Sequence, residues 1–501
     1  LFISWFSTAD VTAFDPGENW DTWQLGDQFM HAYAANYQRQ FILPRLGIVS
    51  ATLVLAALLF AWSWVWLGHK TAVLTLFFLL FSPAILAHGH LVTVDLLGTL
   101  GFTLTAWATW WLLRRPTLLR AFVLGTCFAL AVLLKLSSVM ALLGIAACSV
   151  LYLTSHVKPE YINLRFVTAC IGVFALAGLL AINAGYLFAG TGLRISDSLI
   201  SESHTFGVLA QKFPDLRLPL PEALLVGIDQ ILHAGGGGYY YLAGTVSEES
   251  NGYYHLTAFL LKTPAAFLIL LGLATLNLRP FGDSDGNSKP LLYCLTIPIT
   301  LILGANIALN SLQIGERHLL PAYPLLFMWV AYNVIQRFDR HMHAIRPSLV
   351  TGIFSALLLW YLSASILVAP RYLQYFNILA GGQYEGHRWL ADSNLDWGQD
   401  LIRLREYMSE RNLKQVNLGY FGRVHPAVYG INFVPLEGQK QRGTTVVSAS
   451  FLVGIPYWAY SSDGDAWRPS GYYSWLLEHT PTDRVGALFI YDFPASELTN
   501  N

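Results

Sequence analysis

What most constrains this chain is the recurrence of apolar runs long enough to cross a bilayer. Stretches near 46–67, 72–87, 94–113, 121–137, 139–154, 166–189, 256–277, 291–309, 319–336 and 348–369 approach the length an α-helix needs to traverse a hydrocarbon core of about 30 Å. Backbone groups in lipid must be satisfied internally, so such runs fold as helices. With 54% of residues hydrophobic and 12% charged, the expected architecture is a mostly α, polytopic membrane helical bundle. The formal net charge of −1 gives no basic excess, which leaves no nucleic acid among the expected partners. Cys127, Cys148, Cys170 and Cys294 fall inside apolar runs without metal-ligand spacing and read as small buried hydrophobes.

The basic residues orient the bundle. If 121–154 crossed once, the later basic clusters would lie opposite the loop bearing Arg114, Arg115 and Arg120. Counted as a hairpin turning near residue 138, it places Lys70, Lys158, Arg165, Arg279, Lys289, Arg337, Arg340 and Arg346 on the same face as that loop. By the positive-inside rule this face is cytoplasmic. The 88–93 turn, the 190–255 loop, the 310–318 turn and everything after 369 are then extracytoplasmic. Residues 1–43 read as an extracytoplasmic loop segment that opens on Leu1 without a targeting signal, so a first span is expected upstream. Residues 44–369 form the transmembrane domain. Residues 370–501 lose the long apolar runs and read as a small extracytoplasmic α/β domain, with a helix at 401–407 and strands at 415–418, 444–448 and 487–491.

Four constellations on the outer side carry chemistry. The first is His88-Gly89-His90-Leu91-Val92-Thr93-Val94-Asp95, where an acid stands at a membrane boundary; it reads as a functional carboxylate or as a helix N-cap. The second is Gly315-Glu316-Arg317-His318, where the planar guanidinium fork matches phosphate oxygens or snorkels to the interface. Third, Lys135 and Lys262 sit in apolar sequence and either neutralise an anionic head group or snorkel. Fourth is Asp392-Ser393-Asn394-Leu395-Asp396-Trp397-Gly398-Gln399-Asp400, dense in hydrogen-bonding groups, with Trp397 as a face for a sugar; a capped helix start accounts for part of it. The glycines 235–238 lack the setting and lysine of a phosphate loop and read as a flexible segment.

In this order the motifs resemble a known family. Ser82-Pro83, Leu86-Ala87-His88-Gly89-His90-Leu91-Val92-Thr93-Val94-Asp95, Leu134-Lys135, Lys262-Thr263-Pro264, Gly315-Glu316-Arg317-His318-Leu319-Leu320-Pro321 and the 392–400 segment are similar to those of phospholipid-carrier-dependent glycosyltransferases. These are bacterial relatives of protein O-mannosyltransferases, with the GT-C fold (glycosyltransferase family 39-like). Tyr420-Phe421-Gly422, Pro426 and Tyr429-Gly430 also fit, and the resemblance runs from residue 44 to Tyr491-Asp492. It implies a multi-pass protein of the bacterial inner (plasma) membrane. Its donor would be a polyprenyl-phosphate-linked sugar, and its acceptor a hydroxyl of a protein, lipid or glycan on the outer face, with inversion at the anomeric carbon. Such chemistry needs a base at the hydroxyl and cations at the departing phosphate.

Carried onto this sequence, the resemblance makes Asp95 a catalytic carboxylate, the second acidic residue of the site. Arg317 with His318, supported by Lys262 and Lys135, is assigned to the phosphate. His88, His90, Asn394, Asp396, Trp397 and Gln399 complete the substrate-binding set. No metal-ligand spacing occurs and no nicotinamide, flavin or haem is needed; a divalent cation at the family's acidic pair stays open. That pair, Asp-Glu before Pro-Pro-Leu, has no counterpart in residues 1–43, where Asp10, Asp15, Glu18, Asp21 and Asp27 have other surroundings. Either it lies upstream or the protein has lost it and is inactive. His90 stands where relatives often carry Arg, which would make a phosphate contact there pH-dependent. Glu316 could pair with Arg317 and blunt its charge. The alternatives are a non-catalytic GT-C-like scaffold subunit of a larger membrane complex, discriminated by the acidic pair, and a transporter, disfavoured because repeated halves are not evident.

Overall fold

A computed structural model describes residues 22–156, 163–197, 205–233, 238–276, 288–308, 312–342, 347–461 and 464–494. Asp10, Asp15, Glu18, Asp21, Lys158, Arg279, Arg346 and glycines 235–237 lie outside the described residues. The bundle is built from α1 (Thr22–Ala32), α2 (Tyr37–Leu67), α3 (His69–Leu80), α4 (Pro83–His88), α5 (Asp95–Arg114), α6 (Leu118–Leu134), α7 (Ala141–His156) and α8 (Leu164–Gly185). It continues through α9 (Phe206–Lys212), α10 (Glu222–His233), α11 (Tyr254–Lys262), α12 (Ala265–Thr275), α13 (Ser288–Ala308), α14 (Tyr323–Met342) and α15 (Pro347–Val368). A short hairpin, β1 (Tyr240–Leu242) and β2 (Thr245–Ser247), precedes α11.

This is a multi-pass membrane protein. Among the described residues seven helices are long and apolar enough to cross a membrane, or eight if α11 and α12 count as one span. All ten apolar runs of the sequence are helical, with differences of length and bend. The 72–87 run breaks at Ser82, whose Oγ accepts the Ile85 N–H at 3.4 Å and caps α4, with Pro83 in its first turn. The 256–277 run bends by 110° between α11 and α12, at Thr263-Pro264, where proline cannot continue the hydrogen-bond ladder. Helices α3 and α6, with 12 and 17 residues, are shorter apolar helices.

Helix α5 is largely buried. Its threonines are tolerated there because Thr99, Thr103, Thr105 and Thr109 each donate their hydroxyl to the carbonyl one turn back, at 2.8–2.9 Å. Small residues let neighbours come close: a Cβ added at Gly101 would lie 2.6 Å from Ala131 Cα on α6. The basic loops gather at one end, where Lys70 Nζ meets Asp339 Oδ1 at 2.7 Å and the Arg114 guanidinium lies 3.6 Å from the centroid of Trp66.

The C-terminal tail is α/β, in agreement with the sequence. Helix α16 (Leu401–Glu410) packs on a five-stranded sheet made of β3 (Val416–Gly419), β4 (Phe433–Pro435), β5 (Gly443–Ser448), β8 (Asp483–Val485) and β9 (Leu488–Phe493). Its order is β4-β3-β5-β9-β8, with β3 parallel to β4 and β5 and the other pairs antiparallel. A separate hairpin, β6 (Tyr457–Ser461) and β7 (Gly464–Arg468), lies between β5 and β8 in the chain. Side chains alternate across the sheet with period two. Val446, Leu488 and Ile490 face Leu401, Leu404 and Met408 of α16. Val447, Phe489, Tyr491 and Phe493 join a core that includes Tyr240 and Tyr241 of β1 and Tyr254, Ala258 and Leu261 of α11. The tail therefore shares a hydrophobic core with the bundle.

Candidate active site

Asp95 opens α5 without capping it: the N-cap is Val94 and makes no side-chain cap. The Asp95 carboxylate turns outward from the helix start, accepting from Lys135 Nζ at 2.7 Å on Oδ1 and facing Arg317 Nη1 at 4.0 Å on Oδ2. Lys135 reaches it because α6 ends at Leu134 and the next residue is extended, with φ −155°. Its stem then crosses α5 at Gly98, one turn beyond Asp95, where a Cβ would lie 2.7 Å from Lys135 Cβ and Cδ. Glycine there is a requirement of close approach.

Arg317 comes from the 3-10 turn 316–322 that leads into α14. Its guanidinium carbon lies 5.2 Å from the centroid of Trp397, and His88 lies beside the same indole, at 6.0 Å between ring centroids. His88 ends α4 and is buried, its Nδ1 without a partner among the described residues; burial pushes its pKa down to about 4, so it is neutral at physiological pH. Trp397 thus brings the tail onto the same point as α4, α5, α6 and α14. Lys135 and Arg317 flank the Asp95 carboxylate, the charge of Arg317 also reaches buried Asp392, and Arg317 Nε has no hydrogen-bond partner among the described residues. The arrangement can receive an anion.

Other expected site residues turn elsewhere. Lys262, 1% exposed, donates to the carbonyls of Leu373 at 2.7 Å and Asn394 at 2.6 Å, and faces Glu316 Oε1 at 3.9 Å. Its ammonium is spent on fastening the tail to the bundle, because burial leaves it no water and the nearest acceptors are main-chain oxygens. Glu316 is directed at Lys262 and not at Arg317, and its N–H is held by Asn394 Oδ1 at 3.0 Å. Asn394 also donates to Tyr254 Oη at 2.8 Å and so links three elements.

Gln399 accepts the Trp397 N–H at 2.6 Å and donates to the Leu395 carbonyl at 3.0 Å, fixing the indole through its backbone. Asp396 accepts the Gly398 N–H at 3.0 Å while its Oδ2 is buried without a partner among the described residues; burial pushes its carboxyl up to about 7. His90 is engaged by the helix before it, with Nδ1 2.7 Å from the Leu86 carbonyl of α4. Among the described residues no group of three or more His, Cys, Asp or Glu side chains could hold a metal ion.

Sequence reasoning left one residue, Asp400, without a role inside its motif and passed over another, His255. Asp400 is a buried junction of the tail, accepting from Gln374 Nε2 at 2.5 Å, from the Ala487 N–H at 2.8 Å and from Arg403. His255 on α11 lies beside His318, with ring centroids 5.9 Å apart, and neither of its nitrogens has a partner among the described residues. The signal for His255 was a lone imidazole in the apolar run of α11.

No family model and no curated protein matches the chain. Two crystal structures of ArnT from Cupriavidus metallidurans are similar to it. The one bound to undecaprenyl phosphate is 11% identical with a TM-score of 0.41, over 89% of this chain and 83% of that one. The apo state is 10% identical with a TM-score of 0.43, over 89% and 82%.

Proposed function

We propose that this chain is a membrane glycosyltransferase that moves a sugar from a polyprenyl-phosphate-linked donor to an acceptor hydroxyl of a protein, lipid or glycan on the outer face of the membrane. The observation that carries the reading is the cluster of Asp95, Lys135 and Arg317 at the end of the bundle opposite its basic loops, with Arg317 Nε left without a hydrogen-bond partner among the described residues. The positive-inside rule assigns the basic end to the cytoplasm and hence the cluster and tail to the outside. The order of motifs along the sequence supports the same reading.

In this mechanism the donor phosphate lies against Arg317, whose fork suits two phosphate oxygens, and Lys135 adds a second positive charge. The acceptor oxygen forms a bond to the anomeric carbon as the bond from that carbon to the phosphate oxygen breaks. The electron pair leaves with the carrier phosphate, where the two cations stabilise the growing charge. The acceptor proton goes to the Asp95 carboxylate, and attack opposite the leaving group inverts the centre. Trp397, held between His88 and Arg317, supplies an apolar wall beside the reacting carbon.

The test is undecaprenyl phosphate binding and sugar transfer by the full chain in nanodiscs. Arg317→Ala should cost at least a hundred-fold in transfer, about 2.7 kcal/mol of transition-state stabilisation, and Arg317→Lys should not restore it because a point charge lacks the fork. Full affinity and turnover in correctly inserted Arg317→Ala would sink the proposal. One observation favours a second reading: the 2.7 Å Asp95–Lys135 pair is also what a structural tie in a non-catalytic scaffold looks like. In that case Asp95→Asn would lower stability in a protein that neither binds the carrier nor transfers sugar.

A further inference from the structure

The pair formed by His255 and His318 is not used by the mechanism above. His255 sits on α11 and is 1% exposed, yet both of its ring nitrogens lack partners among the described residues; Nε2 of His318 is likewise buried and unpartnered. The rings approach edge to face, with centroids 5.9 Å apart and planes at 82°. A buried imidazole without partners is costly, and a leucine or phenylalanine would fill the same volume at no such cost. His318 follows Arg317 directly in the 316–322 turn, so the pair and the cation proposed to hold the phosphate are carried by the same segment.

The chemistry of the orphan atoms narrows the ligand. Each neutral imidazole offers one N–H donor and one lone-pair acceptor, and a hydroxyl likewise donates once and accepts. Arginine and lysine, with donors alone, suit phosphate oxygens. We infer that His255 and His318 form a hydroxyl-reading subsite, the place where the polyol ring carried by the phosphate at Arg317 is recognised. The inference rests on the proposed donor and adds which residues read its sugar. The two imidazoles distinguish a sugar-bearing carrier from the bare carrier, and Arg317 binds both.

The experiment compares affinities of the full chain in nanodiscs for bare undecaprenyl phosphate and for undecaprenyl phosphates carrying mannose, glucose, galactose or N-acetylglucosamine. At least one glycosylated carrier should bind the wild type ten-fold or more tightly than the bare one. His255→Leu should abolish that advantage while leaving bare-carrier affinity within two-fold, and His318→Leu should abolish it as well. His255→Gln and His318→Gln, which keep a donor and an acceptor, should retain much of it, and they serve as the test if a leucine variant fails to insert. No glycosylated carrier binding more tightly than the bare lipid, an advantage that survives in the leucine variants, or equal losses for bare and glycosylated carriers would each overturn the subsite. Failure of the wild type to bind even bare undecaprenyl phosphate would instead overturn the proposed donor, and the subsite with it.

Discussion

Replacing Lys262 by methionine separates a role in binding from a role in assembly. The ammonium is 1% exposed and donates at 2.7 and 2.6 Å to the carbonyls of Leu373 and Asn394, with Glu316 Oε1 at 3.9 Å. Hydrogen bonds from a charged donor are worth about 1.5–3 kcal/mol each, so the two carbonyl contacts together account for about 3–6 kcal/mol. Removing one member of a buried pair costs about 3–5 kcal/mol, because the other charge is left uncompensated. The two routes count overlapping losses and converge on about 4 kcal/mol for Lys262→Met. Glu316→Gln alone should cost about 1 kcal/mol, since Lys262 keeps both carbonyls. Combined with Lys262→Met it should cost nothing more, because it removes the stranded carboxylate. Reversible unfolding in mixed micelles reads the stability, and limited proteolysis around 373–394 reads whether the tail has come loose. A Lys262→Met protein that lost less than about 1 kcal/mol yet failed to bind undecaprenyl phosphate would refute this reasoning and return Lys262 to the phosphate.

Three further outcomes follow from the same geometry. Because the folded-state carboxyl of Asp396 titrates near 7 and its unfolded counterpart near about 3.9, the folded protein holds an extra proton between those values; this contribution to stability is lost as pH rises to 7. Asp396→Asn should therefore raise the melting temperature at pH 8 much more than at pH 4.5, and an equal change at both would rule out the buried carboxyl as the cause. Gly98→Ala places a methyl 2.7 Å from the Lys135 stem, so the ammonium should leave Asp95 and carrier affinity should fall about ten-fold, within the value of one charge-assisted bond; unchanged affinity would remove Lys135 from the site. In whole cells, a membrane-impermeant thiol reagent should modify Ser409→Cys on the exposed end of α16 and spare Arg115→Cys, and the reverse pattern would invert the topology.

The helices and the tail's sheet were legible because they rest on local pattern: lipid-length apolar runs, and short runs of β-branched and aromatic residues at β5 and β9; the break at Ser82 was not, because the 72–87 run is apolar on both sides of it. Asp95 and Arg317 were legible as charges at apolar boundaries. Their partners were not, since partnership depends on which segments the fold juxtaposes. Lys135 and Lys262 are both lysines set in apolar sequence, one near the end of its run and the other inside its own, yet what decides their roles is that one lies against a glycine that lets it reach a carboxylate and the other is closed in by two carbonyls more than a hundred residues away. The rule that buried charge marks function found both residues but could not separate them, because burial requires only that a partner exist. The same holds in the tail, where Asn394, Asp396 and Gln399 look like a binding motif and are bonded inward, leaving Trp397 as the member that faces His88 and Arg317. The inward bonds have a consequence for chemistry: Gln399 fixes the Trp397 backbone and Asn394 fixes the turn that carries Arg317. A motif with little direct contact thereby sets the distance between a wall from the tail and a cation from the bundle.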